Sequence, residues 1–329
     1  MVQILKVHGS ENQFFILDQT KLKQQLSDEE LKQLAIKICS PKTGLLHGSD
    51  GLLVVNDSKY NDCIGQMRVI NADGSEAKMC GNGLRTVSRY LSEKFDKVEF
   101  KVETLENNLT VKKSQDLAEG LPTFSVEISP ISFAKKDLPF NYKDKSQLID
   151  DEVPEFISGQ TFTAIAVPNP HLISFVKEVN KADLGKLGKL GKLLNDPNEY
   201  FPEGVNVSFA KILDNNKLFV QTYERGVGFT NACGTGMSAT SLAFAIIHGD
   251  KFDYTKNIEV FNPGGMVQTN IQLNAVPEKS QIRLIGNATF THKIEISEND
   301  LHVAKLSKVD IKITGEEDNY QNFVKSLNK

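Results

Sequence analysis

Several common signals are missing from this chain of 329 residues, and each absence argues against a class of function. The four cysteines form no CxxC pair and the six histidines are scattered, so neither a zinc site nor a dithiol redox catalyst is indicated. The formal net charge of −4 provides no dominating basic field, which argues against a nucleic-acid partner. No apolar stretch approaches the roughly 18 residues of a membrane span, and no signal peptide is recognisable. We therefore expect a soluble, cytoplasmic protein with reduced thiols and no metal site.

The order of strand-like and helix-like segments predicts an α+β fold with two similar halves. Short apolar runs bounded by turn formers, such as residues 14–18 and 51–55, predict strands. In each half one helix-like segment follows a Cys-Gly-x-Gly turn, at Cys80 and at Cys233. The second of these helices is apolar on nearly all sides and is predicted to be buried. Helices do not alternate with every strand, so a doubly wound parallel sheet is not expected.

The same pattern predicts the domain limits. We expect an N-terminal half over residues 1–132, joined by a returning strand at about 287–298, and a C-terminal half over 133–286. Residues 299–329 form a charged extension to which the sequence assigns no role. Within the second half, the repetitive stretch LGKLGKLGKLL is interpreted as a mobile surface helix and not as a nucleic-acid-binding patch, because glycines weaken it and no aromatic residues lie between the lysines.

The two Cys-Gly-x-Gly turns are the candidate chemistry of the chain. The first turn of a helix presents N–H groups without intrahelical acceptors, so a thiol there is predicted to have a lowered pKa. The glycines leave those N–H groups accessible to a carboxylate or phosphate. One thiolate would remove the proton from the carbon beside a bound carboxylate, and one thiol would return a proton from the opposite face. Such a pair inverts an amino-acid α-carbon without a pyridoxal lysine or any other cofactor.

These residue types also have ordinary structural explanations. A buried cysteine is usually a small core residue, and we interpret Cys39 and Cys63 in that way. Asparagine and glycine are common turn formers. His171 is as easily a structural histidine, and Glu224 with Arg225 also fits an exposed pair at a strand end. Two cysteines in the same strand–turn–helix context favour the catalytic interpretation for Cys80 and Cys233.

The stretches NADGSEAKMCGNGLR and ERGVGFTNACGTG resemble the two signature segments of the diaminopimelate epimerase family. The segments HGSENQFFILD, PNPH and FPEGVNVSF resemble further parts of it, and the resemblance covers about residues 1–298. It implies two pseudo-symmetric domains, each a curled, mostly antiparallel sheet around a central helix, with the site in the cleft. It also implies conversion of LL-diaminopimelate to the meso form, on the route to lysine and peptidoglycan, without a cofactor.

The resemblance assigns roles to particular positions. Cys80 and Cys233 are implied to be the base and acid pair. Backbone N–H groups of Gly81, Asn82, Gly234 and Thr235 are implied to bind the α-carboxylate, with Asn12 near the same centre. At the distal end of the substrate the implied residues are Asn71, Asn206 and Arg225. Asn169 and Glu224 are implied to contact ammonium groups or orient the thiols, with His171 in a supporting position. No metal ligand is implied.

Three positions depart from the family pattern and leave the substrate open. Gln13 stands where Asp is usual, Gly51 where many members have Gln, and Phe229 where Glu or another polar residue is usual. The alternatives are a cofactor-independent racemase of another amino acid on the same fold, a thiol redox or regulatory protein, and a non-catalytic small-molecule binding module. The retained distal-end residues favour diaminopimelate. The oligomeric state, with a homodimer as one option, and the stereochemical role of each cysteine stay open.

Overall fold

The computed structural model describes residues 1–327 and contains six α-helices and nineteen strands in that range. The helices are α1 (Asp28–Ile38), α2 (Gly81–Phe95), α3 (Lys181–Asn195), α4 (Gly234–Ile247), α5 (Glu298–His302) and α6 (Glu316–Leu327). The strands are β1 (Val2–Gly9), β2 (Asn12–Asp18), β3 (Gly51–Asn56), β4 (Cys63–Asn71), β5 (Glu76–Ala77), β6 (Glu99–Glu103), β7 (Asn108–Lys113), β8 (Thr123–Ile128), β9 (Asp151–Glu152), β10 (Thr161–Ala166), β11 (Pro170–Phe175), β12 (Asn206–Asp214), β13 (Lys217–Glu224), β14 (Gly228–Phe229), β15 (Ile258–Asn262), β16 (Gly265–Gln272), β17 (Gln281–Asn287), β18 (Thr289–Ile296) and β19 (Val309–Ile313).

Two compact units share the chain. The first comprises Met1–Val126 together with the chain from Ile285 onward, and the second comprises Glu127–Leu284. In the first unit β18 pairs antiparallel with β1, so the chain returns to the strand on which it began. The domain limits at residues 132 and 286 remain predictions of the sequence, and the division by contacts falls at 126 and 284.

Both units follow one order of strand pairings. Along β1 to β7, successive pairings are antiparallel (β1–β2), parallel (β2–β3), antiparallel (β3–β4 and β4–β5), parallel (β4–β6) and antiparallel (β6–β7). Strands β10 to β16 of the second unit repeat the same order. In the first unit α1 follows β2 and α2 follows β5, and at the corresponding places of the second unit α3 follows β11 and α4 follows β14. The predicted α+β class with a repeated half is confirmed.

Helix α2 is the buried helix of the first unit, and α4 is the buried helix of the second. In α2 the apolar side chains of Leu84, Val87 and Leu91 are fully buried. In α4 twelve of the fourteen residues are buried, as its nearly uniform apolar composition predicts. Because both helices begin directly after a cysteine, packing of the helix in its unit also fixes the position of that cysteine.

The LGK repeat forms α3, but this helix is not a loose surface element. Leu187, Leu190 and Leu194 are buried in the core of the second unit. The repeated lysines lie on the exposed face. The third glycine of the repeat, Gly191, is buried against Tyr223 of β13, where an added Cβ would lie only 2.4 Å from the ring. The glycines therefore differ in function within one repeat, and Gly191 permits close helix–strand packing.

The C-terminal extension is part of the first unit. Leu301 and Ala304 are buried in the same core as α1. Strand β19 pairs antiparallel with β18, and α6 buries Tyr320 and Phe323. Over residues 1–327 no helix is long and apolar enough to cross a membrane.

The glycines of α3 provide a matched stability test. Gly191→Ala should lower the free energy of unfolding by about 1–3 kcal/mol, because the new methyl group overlaps Tyr223. Gly185→Ala, with no atom within 4 Å of its new Cβ, should instead raise it by roughly 0.5–1 kcal/mol through helix propensity. Urea unfolding of both variants measures the difference, and equal effects would contradict the packing described here.

Candidate active site

Cys80 and Cys233 occupy the N-cap positions of the buried helices α2 and α4. Cys80 and Cys233 have extended backbone angles, with φ/ψ of −143°/108° and −108°/103°. The Gly83 N–H donates to Cys80 Sγ at 3.3 Å, and the Gly236 N–H donates to Cys233 Sγ at 3.4 Å. A sulfur thus satisfies one of the N–H groups that lack an intrahelical acceptor. The repeated motif of the sequence corresponds to a repeated local structure.

The second glycine of each motif packs closely against side chains beside the thiol. An added Cβ at Gly83 would lie 2.8 Å from Leu53 Cδ2. At Gly236 it would lie 3.0 Å from Thr222 Oγ1 and 3.2 Å from Cys233 Sγ. The sequence interpretation assigned these glycines to ligand access alone. The structure shows that they also let each helix start close to its neighbouring strand.

In the first unit an amide network surrounds Cys80. The Asn82 side chain donates to Asn12 Oδ1 at 3.2 Å, and the Cys80 thiol lies 3.8 Å from that same oxygen. Asn12 Nδ2 donates to the Asp50 carboxylate at 2.6 Å. Asp50 also accepts from the Gln13 N–H at 2.8 Å. The predicted residues Asn12, Asn82 and Cys80 are brought together, and Asp50 is a supporting residue that no sequence motif indicated.

In the second unit His171 contacts the first turn of α4. Its Nε2 lies 3.0 Å from the Thr235 hydroxyl, which is 3.7 Å from Cys233 Sγ. Burial lowers the pKa of His171 to about 3, with a smaller contribution from the charge of Arg225. The imidazole is therefore neutral at physiological pH. It orients Thr235 and does not supply a positive charge near the thiol.

Cys233 is buried and has a raised pKa, so the predicted lowering is wrong for this thiol. Burial is the largest cause, and the negative charge of Glu224 is the next. The hydrogen bonds from Gly236 and Thr235 act in the opposite direction but do not reverse the shift. Glu224 is itself held by the Thr230 hydroxyl, which donates to its Oε1 at 2.5 Å. The position at a helix start does not by itself make a buried thiol acidic.

The distal-end candidates of the second unit are linked through one asparagine. Asn206 Oδ1 accepts from the Arg225 N–H at 2.9 Å, and its Nδ2 donates to the Pro170 carbonyl at 3.0 Å. The exposed Arg225 donates from Nη1 to the Glu203 carbonyl at 2.9 Å. Asn206 thereby fixes the backbone on which Arg225 stands.

Two other predicted residues lie in turns. Asn71 ends β4 and donates from Nδ2 to Ser75 Oγ at 2.9 Å. Asn169 is half-buried between β10 and β11, and its carbonyl accepts from the Val167 N–H at 3.0 Å. Neither of these bonds involves a residue around Cys80 or Cys233. The roles of Asn71 and Asn169 stay predictions.

The three departures from the family pattern have distinct surroundings. Gly51 lies where an added Cβ would be 2.7 Å from the Ile70 carbonyl, so a larger side chain requires a local shift. The Phe229 side chain is 49% exposed and packs edge-on against Tyr223, with ring centroids 5.4 Å apart. Gln13 is exposed and contributes its backbone N–H to Asp50.

The two remaining cysteines have structural surroundings. Cys39 ends α1 in the core of the first unit, where burial raises its pKa to about 11. Cys63 begins β4 and is also buried, which raises its pKa. None of the four cysteines forms a disulfide bond. In the part of the chain that the structure describes, no group of three or more histidine, cysteine or acidic side chains is arranged to hold a metal ion.

Comparison with solved structures shows which fold this chain has. The chain superimposes on a phenazine biosynthesis protein of the PhzF family from Bacillus anthracis with a TM-score of 0.62 and 17% identity, covering 90% of this chain and 99% of that one. It also superimposes on a probable proline racemase from Agrobacterium radiobacter with a TM-score of 0.59 and 14% identity, covering 92% and 96% of the two chains. At this identity the likeness shows the fold alone, an α+β fold shared with these proteins.

Sequence comparison gives the family. A family model described as diaminopimelate epimerase matches residues 4–124 and 163–291. A diaminopimelate epimerase from Ligilactobacillus salivarius is 49% identical over 330 residues, and one from Enterococcus faecalis is 47% identical over 334 residues. These alignments cover all of this chain and 99–100% of each relative. The chain belongs to the diaminopimelate epimerase family.

The raised pKa of Cys233 can be tested through its neighbour. Glu224→Gln removes a negative charge, so the pKa of Cys233 should fall and its alkylation by iodoacetamide should become faster at a fixed pH. Each unit of pKa lowering increases the thiolate fraction about tenfold. Rates from pH 6 to 10, followed by peptide mapping, give the profile. Glu259→Gln, which changes a glutamate paired with Lys217, is the control. An unshifted Cys233 profile in Glu224→Gln would contradict the assigned cause.

Proposed function

We propose that this protein epimerises LL-diaminopimelate to meso-diaminopimelate, with Cys80 and Cys233 as the two groups that exchange the α-proton. The observation that carries the proposal is the duplicated N-capping thiol, found at the start of the buried helix in both units. Full-length identity of 46–49% to relatives named diaminopimelate epimerase supports this substrate.

The first turns of α2 and α4 supply the groups that the reaction needs. Helical N–H groups at Gly81, Asn82, Gly234 and Thr235 point toward the N-terminal end of their helices, where a carboxylate is stabilised. When a thiolate takes the α-proton, the electron pair left on carbon spreads into the substrate carboxylate. Added negative charge on those oxygens strengthens the same hydrogen bonds, which lowers the barrier. The second thiol then gives its proton to the opposite face, and the sulfurs exchange their protonation states.

The surroundings of the two cysteines differ in charge, which suggests their states before substrate binds. Burial and Glu224 favour the protonated thiol at Cys233. In the first unit, Arg85 is fully buried five residues after Cys80, and its positive charge attracts the negative charge of a Cys80 thiolate. Environments that separate the proton affinities of two groups mark the acid and the base. In our proposal Cys80 is the initial base and Cys233 the initial acid.

Further parts of the proposal concern substrate and setting. Arg225 carries an exposed positive charge on a backbone fixed by Asn206, and it would bind the distal carboxylate of diaminopimelate. The reaction would need no pyridoxal phosphate or metal. We also propose a cytoplasmic location, in agreement with a biosynthetic role, and a homodimer as the assembly to be tested by sedimentation.

The cysteine assignment predicts the effect of single substitutions. Cys80→Ala and Cys233→Ala should each lower kcat by at least roughly 10²–10⁴-fold, the contribution of a positioned acid or base. Chiral chromatography of LL-diaminopimelate incubated with desalted enzyme measures this loss. Cys63→Ala, outside the proposed site, is the control and should keep most activity. Either catalytic variant retaining near-normal turnover would refute the two-base assignment.

The distal-end assignment predicts a change in specificity. Arg225→Ala should raise KM for diaminopimelate, since a hydrogen bond to a charged group contributes about 1.5–3 kcal/mol, or roughly 10- to 150-fold. Slow turnover of a monocarboxylic amino acid should change little. Arg283→Ala, in β17 of the same unit, serves as the control for general loss of positive charge. Equal effects of Arg225→Ala on both substrates would favour the alternative, a racemase of another amino acid.

A further inference from the structure

The C-terminal extension contacts a turn that leads directly to Asn12. The segments matched by the family model end at residue 291, so α5, β19 and α6 lie outside them. Helix α6 nevertheless packs on the first unit with Tyr320 fully buried. Its contacts with the turn between β1 and β2 suggest a role near Cys80.

The turn between β1 and β2 has a backbone conformation that its residues disfavour. Gly9 pairs with Asn12, so Ser10 and Glu11 form a two-residue hairpin turn. Both have left-handed angles, with φ of 55° and 64°. Hairpin turns with two positive φ values favour asparagine and glycine, and each other residue there costs of order 1 kcal/mol. The turn therefore depends on contacts from outside the hairpin.

The first such contacts come from the body of the unit. The Ser10 N–H donates to Asn287 Oδ1 at 2.9 Å, and Arg85 Nη2 donates to Ser10 Oγ at 3.1 Å. The Glu11 N–H donates to His8 Nδ1 at 3.2 Å. The last bond makes Nδ1 of His8 an acceptor, so a neutral ring carries its proton on Nε2.

Helix α6 contacts Ser10 and His8, the two residues that accept the bonds from Arg85 and Glu11. Tyr320 packs edge-on against His8 with ring centroids 4.6 Å apart, and a hydrogen bond joins its hydroxyl to Ser10. Glu317 Oε2 lies 3.0 Å from His8 Nε2. This contact is the main cause of the lowered pKa of Glu317, which keeps Glu317 a carboxylate beside the His8 ring. Two side chains of α6 thus hold the His8 ring in place.

The strained turn leads into Asn12, whose side chain contacts Cys80, the proposed initial base. Asn12 directly follows Glu11, and its Oδ1 lies 3.8 Å from the Cys80 thiol while accepting from Asn82. A shift of the turn would move this oxygen relative to the sulfur. Reaction rates are sensitive to displacements of about 1 Å at such positions.

We propose that Tyr320 and Glu317 of the C-terminal extension are positioning residues, which hold the Ser10–Glu11 turn and thereby fix Asn12 against Cys80. The catalytic consequence rests on the proposed function, whereas the effect on the Cys80 thiol does not. Other contacts anchor the extension separately. Glu316 forms a two-bond ion pair with Arg89, with one bond of 2.7 Å, and Leu301 is buried in the core. The turn contacts can therefore be removed while the extension remains attached.

The test compares Tyr320→Phe and Glu317→Gln with Glu316→Gln in the full-length protein. Glu316→Gln weakens the anchor on Arg89 and leaves the turn contacts in place. In the first two variants we expect kcat to fall by about tenfold with KM nearly constant. We also expect the ratio of iodoacetamide alkylation rates at Cys80 and Cys233 to change at least about threefold, because only Cys80 loses its fixed neighbour. Glu316→Gln should lower the melting temperature and leave both readouts unchanged.

A glycine rescue separates positioning from general stability. Glu11→Gly relieves the backbone strain at the turn, so Tyr320→Phe in that background should recover most of the lost kcat and the wild-type alkylation ratio. An unchanged alkylation ratio in both Tyr320→Phe and Glu317→Gln would overturn the proposal, as would an equal change in Glu316→Gln. If the wild-type protein fails to epimerise diaminopimelate, the proposed function fails, and the alkylation ratio still decides the positioning.

Discussion

At the starts of α2 and α4, a cysteine sulfur takes the N-cap role that a serine or aspartate oxygen usually takes. The N–H group of the third helical residue points at Sγ of Cys80 in α2 and of Cys233 in α4. This hydrogen bond ties the sulfur to the most buried helix of its unit. It needs an extended cysteine, a glycine three residues later, and a strand close behind the helix. The repeated order of strands and helices supplies these conditions twice.

The two units repeat the same backbone arrangement, but the side chains around the two sulfurs differ. Cys80 has amide groups of Asn12 and Asn82 beside it and a buried arginine nearby, whereas Cys233 has Thr235 and a carboxylate. In the proposed mechanism, one sulfur carries a proton and the other does not when the substrate binds. The unlike neighbours provide that difference. Burial and the charge of Glu224 raise the pKa of Cys233, and in our proposal Cys233 is therefore the initial acid and Cys80 the initial base.

Local sequence signals predicted the two helices that carry the proposed catalytic cysteines. Glycines after a cysteine marked both helix starts, and the apolar composition of α4 predicted its burial. The pKa of Cys233 was predicted in the wrong direction, because motifs report the helix terminus and not the desolvation imposed by distant residues. Asp50 beneath Asn12 and Tyr320 beneath His8 are contacts across 38 and 312 positions of the chain, and no local pattern contains them. The packing of Gly191 against Tyr223 is of the same kind.

The central claim is that two different sulfurs exchange the α-proton, and isotope transfer from solvent tests it most directly. LL-diaminopimelate is incubated with the enzyme in deuterated water, the reaction is stopped within the first few per cent of conversion, and both isomers are analysed by mass spectrometry. The account predicts one deuterium at the inverted α-carbon of the meso product and no deuterium in the recovered LL substrate. The removed proton remains on one sulfur while the other delivers a solvent-derived deuteron. Product that keeps the original proton, or equal labelling of both isomers, would contradict the account.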